Sequence, residues 1–419
     1  MLPLIIKNLA SINKSNRDNN IVETTYFIRL IRKLAGASVI TIEYTPEKKV
    51  STTFSWFGFI TFLAWYTSYY YCLYRIVMED QSILRALYNT RLQHYGDDVE
   101  RFTVGIFTLY AMWKVPFDLS GSTEDAQLII DVDKALQDLN EPVCYSNSLY
   151  LAFILFLIQA SISGSRIFTV SMSLHGGTRM PIEKIFQMIF ADAIIFTITA
   201  QYCSYLFILK RRYRLVNRAL NSIRLRTSSE FFKFRFQQQA VPNGIFSIKD
   251  KYLCKKIKAC GRIYGMLFSA TEMTNNKFGL VILIMMFLAL LFTILYLYYF
   301  MEATASGLFH DPEKFIDFLI YVGWQIGFAI SVMLVCIYFS EATVREAQIT
   351  PHVIHQIINS DLGNTVETEA INLSLQILHQ KPSFTAYGLF KLDYVMVLEG
   401  ARSVTTFLVI LLQFVTEKH

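Results

Sequence analysis

Residues 406–414 read Thr406-Phe407-Leu408-Val409-Ile410-Leu411-Leu412-Gln413-Phe414, five apolar residues closed by an amide and an aromatic ring. Helical spacing shows what is unusual here. At 100° per residue, Glu399, Arg402, Ser403, Thr406, Ile410 and Gln413 share an arc about 80–100° wide. The opposite arc holds Ala401, Val404, Leu408, Leu411 and Leu412, with only Thr405 interrupting it nearby. A membrane helix with one polar stripe cannot turn that stripe to lipid; it must face protein or water. Two readings follow. The stripe is interhelical hydrogen-bonding glue within one chain, or it lines a pore repeated around a symmetry axis. Glu399 and Arg402, three apart, also have the spacing of a structural ion pair.

The same nine residues resemble the C-terminal signature of the insect gustatory receptor family: a Thr-Tyr, five hydrophobic residues and a closing Gln-Phe. Phe407 is the one departure, and it removes a hydroxyl. Upstream, Phe384-Thr385-Ala386-Tyr387-Gly388-Leu389-Phe390-Lys391-Leu392-Asp393 is similar to that family's approach to its last helix. The close match covers roughly the final fifty residues. The resemblance implies a tetrameric cation channel with the last helix around the central axis. Gln413 and Phe414 would then stand at or next to the constriction near the outer end, with Thr406 and Ile410 lining the conduit below. It further implies a small-molecule tastant, identical or related subunits as partners, and a multi-pass protein of the sensory-neuron plasma membrane. No G protein and no cofactor are implied.

Composition agrees with a membrane class. The chain has 419 residues, 53% hydrophobic and only 17% charged, where soluble domains carry about a quarter charged. Seven stretches qualify as spans of about 30 Å of hydrocarbon: 54–78, 101–118, 149–172, 185–207, 278–303, 314–342 and 390–415. The second, which holds Lys114 and Pro116, and the seventh, which holds Glu399 and Arg402, rest partly on the family resemblance. Lys and Arg fix an expected orientation. With the N-terminus cytosolic, the inner segments hold 27 of them and the outer segments five. The expected fold is therefore an all-α polytopic membrane protein with seven transmembrane helices and inverted topology, C-terminus extracellular. Residues 1–53 form a cytosolic N-terminal segment, in which 21–43 reads as an amphipathic helix. Residues 54–342 hold six spans and the ligand pocket, with a basic loop and helical extensions at 208–277. Residues 343–419 hold a cytosolic helix and the seventh span. Basic residues at a span end point to membrane lipid and cytosol rather than nucleic acid.

A pocket for a solute arriving from outside belongs in the outer halves of the first six spans. Asp317, Tyr321, Trp324 and Gln325 share one face early in the sixth span, and aromatic faces with a few polar groups suit small polar ligands. Further candidates are Tyr110 and Trp113 on the second span, Ser163 and Arg166 on the third, Gln187 and Asp192 on the fourth, and Tyr298 and Glu302 on the fifth. Arg166 and Asp192 weigh most, because an intramembrane charge needs a partner or water. They can also satisfy each other, which would be structural.

Signals for catalysis are missing. His352 and His355 form an isolated pair without a third ligand, so no metal site is expected, and no phosphate loop or nucleophile–base pair appears. The seven spans leave one alternative to a tastant-gated non-selective cation channel: a metabotropic receptor or a transporter. Against the former stand the inverted orientation and the lack of an Asp-Arg-Tyr after the third span.

Overall fold

The computed structural model describes residues 26–44, 50–81, 91–119, 123–143, 148–172, 182–236, 243–305, 310–360 and 363–416. Side chains at several helix ends, that of Phe414 among them, lie outside this description. A helix stands at each expected span: α2 (Trp56–Met78), α3 (Arg91–Lys114), α5 (Ser148–Met172), α6 (Ile182–Phe236), α7 (Asn243–Ala305), α8 (Pro312–Ile358) and α10 (Tyr394–Thr416). Four of these, α5 to α8, are long and apolar enough by themselves to cross a membrane. Within hydrocarbon only a helix pairs every backbone N–H and C=O inside its own segment. The outward surface of α2 is correspondingly apolar, with Trp56, Phe57, Ile60, Leu63, Tyr70, Tyr71 and Tyr74 all exposed.

The N-terminal segment departs from the expected single helix. Helix α1 covers Tyr26–Leu34. Gly36 follows with φ at +66°, a left-handed conformation that ends helices and that glycine adopts at no steric cost. The β-branched run after it forms strand β1 (Ile40–Tyr44), antiparallel to β2 (Val50–Phe54) with Ile42 opposite Thr52. This hairpin rests on α4 (Thr123–Asp138), a helix inside the connection between the second and third spans. The Val50 amide donates to the Gln127 side chain at 3.0 Å.

Helix α4 is acidic and half-buried. Lys277 of α7 donates to Asp125 at 2.5 Å, and Arg212 of α6 donates to both oxygens of Asp133 at 3.0 and 2.9 Å. Burial holds the Asp133 carboxyl above its ordinary range, and the neighbouring Arg212 pulls it back only in part.

Helices α6, α7 and α8 run 55, 63 and 47 residues, far beyond a bilayer's requirement of about 20. Their extensions pack as a soluble bundle would. Leu220, Ile223, Ile257, Ile263 and Leu267 are buried, and Tyr213 meets Tyr264 edge-on at 5.6 Å. Helix α9 (Asn364–His379) lays Val366, Ala370, Leu373 and Ile377 into this bundle. The Gln376 amide reaches the Gly261 carbonyl at 3.1 Å.

A second hairpin, β3 (Thr385–Ala386) with β4 (Phe390–Lys391), then turns the chain into α10. Its turn uses two left-handed residues, Tyr387 at +53° and Gly388 at +74°. Asn275 of α7 clamps it, donating to the Ser383 carbonyl at 2.8 Å and accepting from the Thr385 amide at 3.1 Å. Asp393 caps α10 by accepting from the Val395 and Met396 amides, which satisfies two orphan donors of the first turn.

Candidate functional site

Five helices (α3, α5, α6, α7 and α8) enclose a cavity. It offers about 100 Å³ to the centres of water-sized molecules, several times the ~10–15 Å³ that one water needs on that measure. Most of the wall is apolar: Phe107, Met188, Met285, Leu288, Phe292, Phe328 and Val332. Against it stand a few polar groups, Glu100, Arg101, Arg166, Lys184, Gln187, Asp192, Tyr296 and Gln325. Such a mixture of apolar wall and a few polar groups is the usual make-up of a small-molecule pocket.

Arg166 organises one side. Helix α5 brings it among neighbours that face outward, such as Ile167 and Phe168, yet its own side chain turns inward and is buried. Its Nε lies 2.9 Å from the Asp192 carboxylate on α6. One terminal nitrogen donates to Asp192 at 3.3 Å and to the Gln325 Oε1 of α8 at 3.2 Å. Gln325 passes the network on, donating from Nε2 to the Tyr321 hydroxyl at 3.1 Å. The guanidinium also lies 5.9 Å from the Trp324 ring centroid, within cation–π reach, and Trp324 stacks on Phe328. On the other side the Tyr296 hydroxyl donates to Glu100 at 2.6 Å, and Lys184 donates to Gln187 at 3.2 Å.

The candidate ligand residues thus divide. Arg166, Asp192 and Gln325 line the cavity, with Tyr321 directly behind Gln325 and Trp324 beside Arg166. The Trp324 indole N–H is buried and has no acceptor among the described residues. Asp317 lies two turns before Gln325, half-buried, away from the lining. Tyr298 is buried beside the cavity in an aromatic cluster with Tyr299. Tyr110 packs against the main core. Trp113 stacks on Phe117 at 4.7 Å on an exposed face. Glu100, Lys184 and Tyr296 were not among the candidates. The first two escape because span boundaries drawn at 101 and 185 cut each off by one residue. Helix α3 begins ten residues earlier, at Arg91.

Helix α10 lies along α7 and α8, where a Cβ built on Gly400 would meet the Leu290 side chain at 3.9 Å, ordinary van der Waals contact. Leu408 packs against the cluster that contains Tyr296, Tyr299, Phe318 and Tyr321. Glu399, Arg402, Thr406, Ile410 and Gln413 are exposed along one side. Arg402 donates to Glu399 at 2.7 Å.

Residues 124–418 match the family model described as "7tm Chemosensory receptor". The chain belongs to that family. This chemosensory receptor is similar to gustatory receptor 28b of Drosophila melanogaster, 22% identical over 80% of this chain and 73% of the relative. It is also similar to gustatory receptor 28a of that insect, 23% identical over 92% and 90%. The gustatory resemblance of the tail is therefore borne out across the chain. In fold the receptor is similar to the insect olfactory receptor OR5 from Machilis hrabei in complex with eugenol. The TM-score is 0.59 at 10% identity, covering 94% of this chain and 99% of that one. A second structure of the same receptor gives 0.55. A multi-pass helical membrane receptor, of a family that is not an enzyme family, is the result.

Proposed function

We propose that the receptor is a subunit of a tastant-gated, non-selective cation channel of four identical or related chains. The carrying observation is the polar stripe of α10, which its own chain leaves uncovered at Glu399, Arg402, Thr406, Ile410 and Gln413. Charged and polar side chains exposed on a membrane helix are costly against lipid, and four copies around one axis would turn this face to protein and water. Gln413 and Phe414 would form the constriction, with Ile410 and Thr406 below. The N-terminus would be cytosolic and the protein would reside in the plasma membrane of sensory neurons.

The Arg166 cavity would receive a small organic tastant, as the olfactory receptor of similar fold binds eugenol. A ligand that fits the open arrangement better shifts the population toward it. Tyr296 and Tyr321 give the route, because both join the cavity network and both belong to the cluster against which Leu408 packs, on the face of α10 opposite Thr406 and Ile410. Reorganising the cavity wall would rotate or displace α10.

Patches excised from cells expressing this chain alone test the reading. Ligand-evoked cation currents that a Gln413→Cys variant makes sensitive to thiol reagents support it. Ligand uptake, or responses that vanish without G protein, would establish the transporter or metabotropic alternative.

A further inference from the structure

Further along α6 from the Arg166 cavity, near the middle of the helix, Arg211, Arg214 and Arg218 follow each other at helical spacings of three and four, so they share a face. With Leu215 and with Pro142 and Val143 of the connection after α4, they line a second pocket. Its chemistry is unlike that of the first: three guanidinium groups stand over an apolar floor. Arg214 and Arg218 are more than half exposed at the side chain, whereas the acids near them, Glu346 and Glu141, are mostly covered. Glu346 takes two hydrogen bonds from Arg214 at 3.2 and 3.0 Å, which orients that fork. Glu141 is only at 3.8 Å from Arg218. Arg211 forms no ion pair among the described residues; its guanidinium lies 5.7 Å from the Phe207 ring centroid. Three cations against two acids leave excess positive charge and several outward N–H donors.

Depth decides what the pocket meets. Phe207, an exposed ring at the end of the fourth apolar stretch, lies one turn before Arg211. With the fourth span ending at 207 as the sequence predicts, a phosphate one turn beyond it lies at the depth of the lipid headgroups. Planar guanidinium forks match phosphate oxygens two at a time, and basic pockets between transmembrane helices take anionic headgroups. We propose that this pocket binds the phosphate headgroup of an anionic membrane lipid, with the apolar floor receiving the adjoining glycerol region.

The purified full-length receptor tests this by binding of fluorescent phosphatidylinositol phosphate, against phosphatidylcholine and against inorganic phosphate. The wild type should bind the anionic lipid about tenfold or more tightly than phosphatidylcholine, and Arg211→Gln with Arg218→Gln should lose about that factor. The single Arg211→Gln change, which breaks no ion pair among the described residues, should lose part of it, so a misfolded double variant does not leave the question open. Unchanged affinity in the folded variants overturns the proposal. So does equal binding of phosphatidylcholine, and inorganic phosphate binding as tightly as the lipid would reduce the pocket to a free-anion site.

Discussion

Arg166 of α5 and Asp192 of α6 meet at 2.9 Å inside the helix bundle, and both side chains are more than nine-tenths buried. Removing one member strands the other. Breaking a buried pair costs about 3–5 kcal/mol, whereas replacing both members by apolar residues of similar volume is often neutral. Asp192→Ala should therefore lower the thermal midpoint sharply and reduce surface expression. Arg166→Met with Asp192→Leu should restore folding while altering the ligand response. Fluorescence-detected melting of the four combinations checks this. Equal midpoints for the single and the double variants would contradict it.

Leu408 joins α10 to the tyrosine cluster beside the cavity. Coupling energies of about 1–3 kcal/mol correspond to roughly 5–150-fold. Leu408→Ala should lower the maximal ligand-evoked current by about fivefold or more on that scale, with ligand affinity of the purified protein nearly unchanged. A parallel loss of affinity would place Leu408 in binding rather than in transmission.

Gly279 of α7 permits the close approach of the hairpin that leads into α10. A Cβ there would lie 2.9 Å from the Tyr387 amide nitrogen and 3.2 Å from its Cα. Backbone cannot swing aside as a side-chain tip can, so Gly279→Ala should destabilise by about 1–3 kcal/mol. Limited proteolysis near Tyr387 should become faster than in the wild type.

Asp133 predicts a pH dependence. Burial raises its folded carboxyl above the ordinary 3.8, so the folded chain holds that proton more tightly than the unfolded chain does. Its contribution to stability is complete below 3.8 and declines as pH rises through the raised value. Acidification from neutrality thus strengthens the fold through this residue. Asp133→Asn should flatten the midpoint-against-pH curve in that window. An unchanged curve would show that Asp133 ionises normally.

Arg402 and Glu399 are joined at 2.7 Å but are mostly exposed. Exposed pairs typically contribute about 0–1 kcal/mol. Arg402→Gln should leave the thermal midpoint within a degree or so by that magnitude. If this face borders the conduit, the same change should alter single-channel conductance, which recordings in symmetric salt would detect.

Most of the seven stretches were legible because hydrocarbon thickness sets a length that composition reveals, while the second and the seventh needed the family resemblance as well. Each stretch is a helix in the structure. The tail signature 406–414 was equally legible, and with it the family. Helix α4 was not, because its acids look solvated in sequence; only Arg212 and Lys277, 79 and 152 residues away, explain their burial. The first hairpin was hidden for a related reason: amphipathic Arg29, Arg32 and Lys33 mask the stop at Gly36.

At the site the division is sharper. The sequence by itself determined that Arg166 and Asp192 are charges inside apolar helices and therefore need partners, since an isolated charge in hydrocarbon is too costly to persist. Only the tertiary structure decided that they satisfy each other, that Gln325 joins them, and that Glu100, Lys184 and Tyr296 complete the wall while Trp113 turns outward. Spacing along a helix fixes which residues share a face. The rotation of each helix against its neighbours fixes which face meets the cavity, and that depends on packing across the whole bundle.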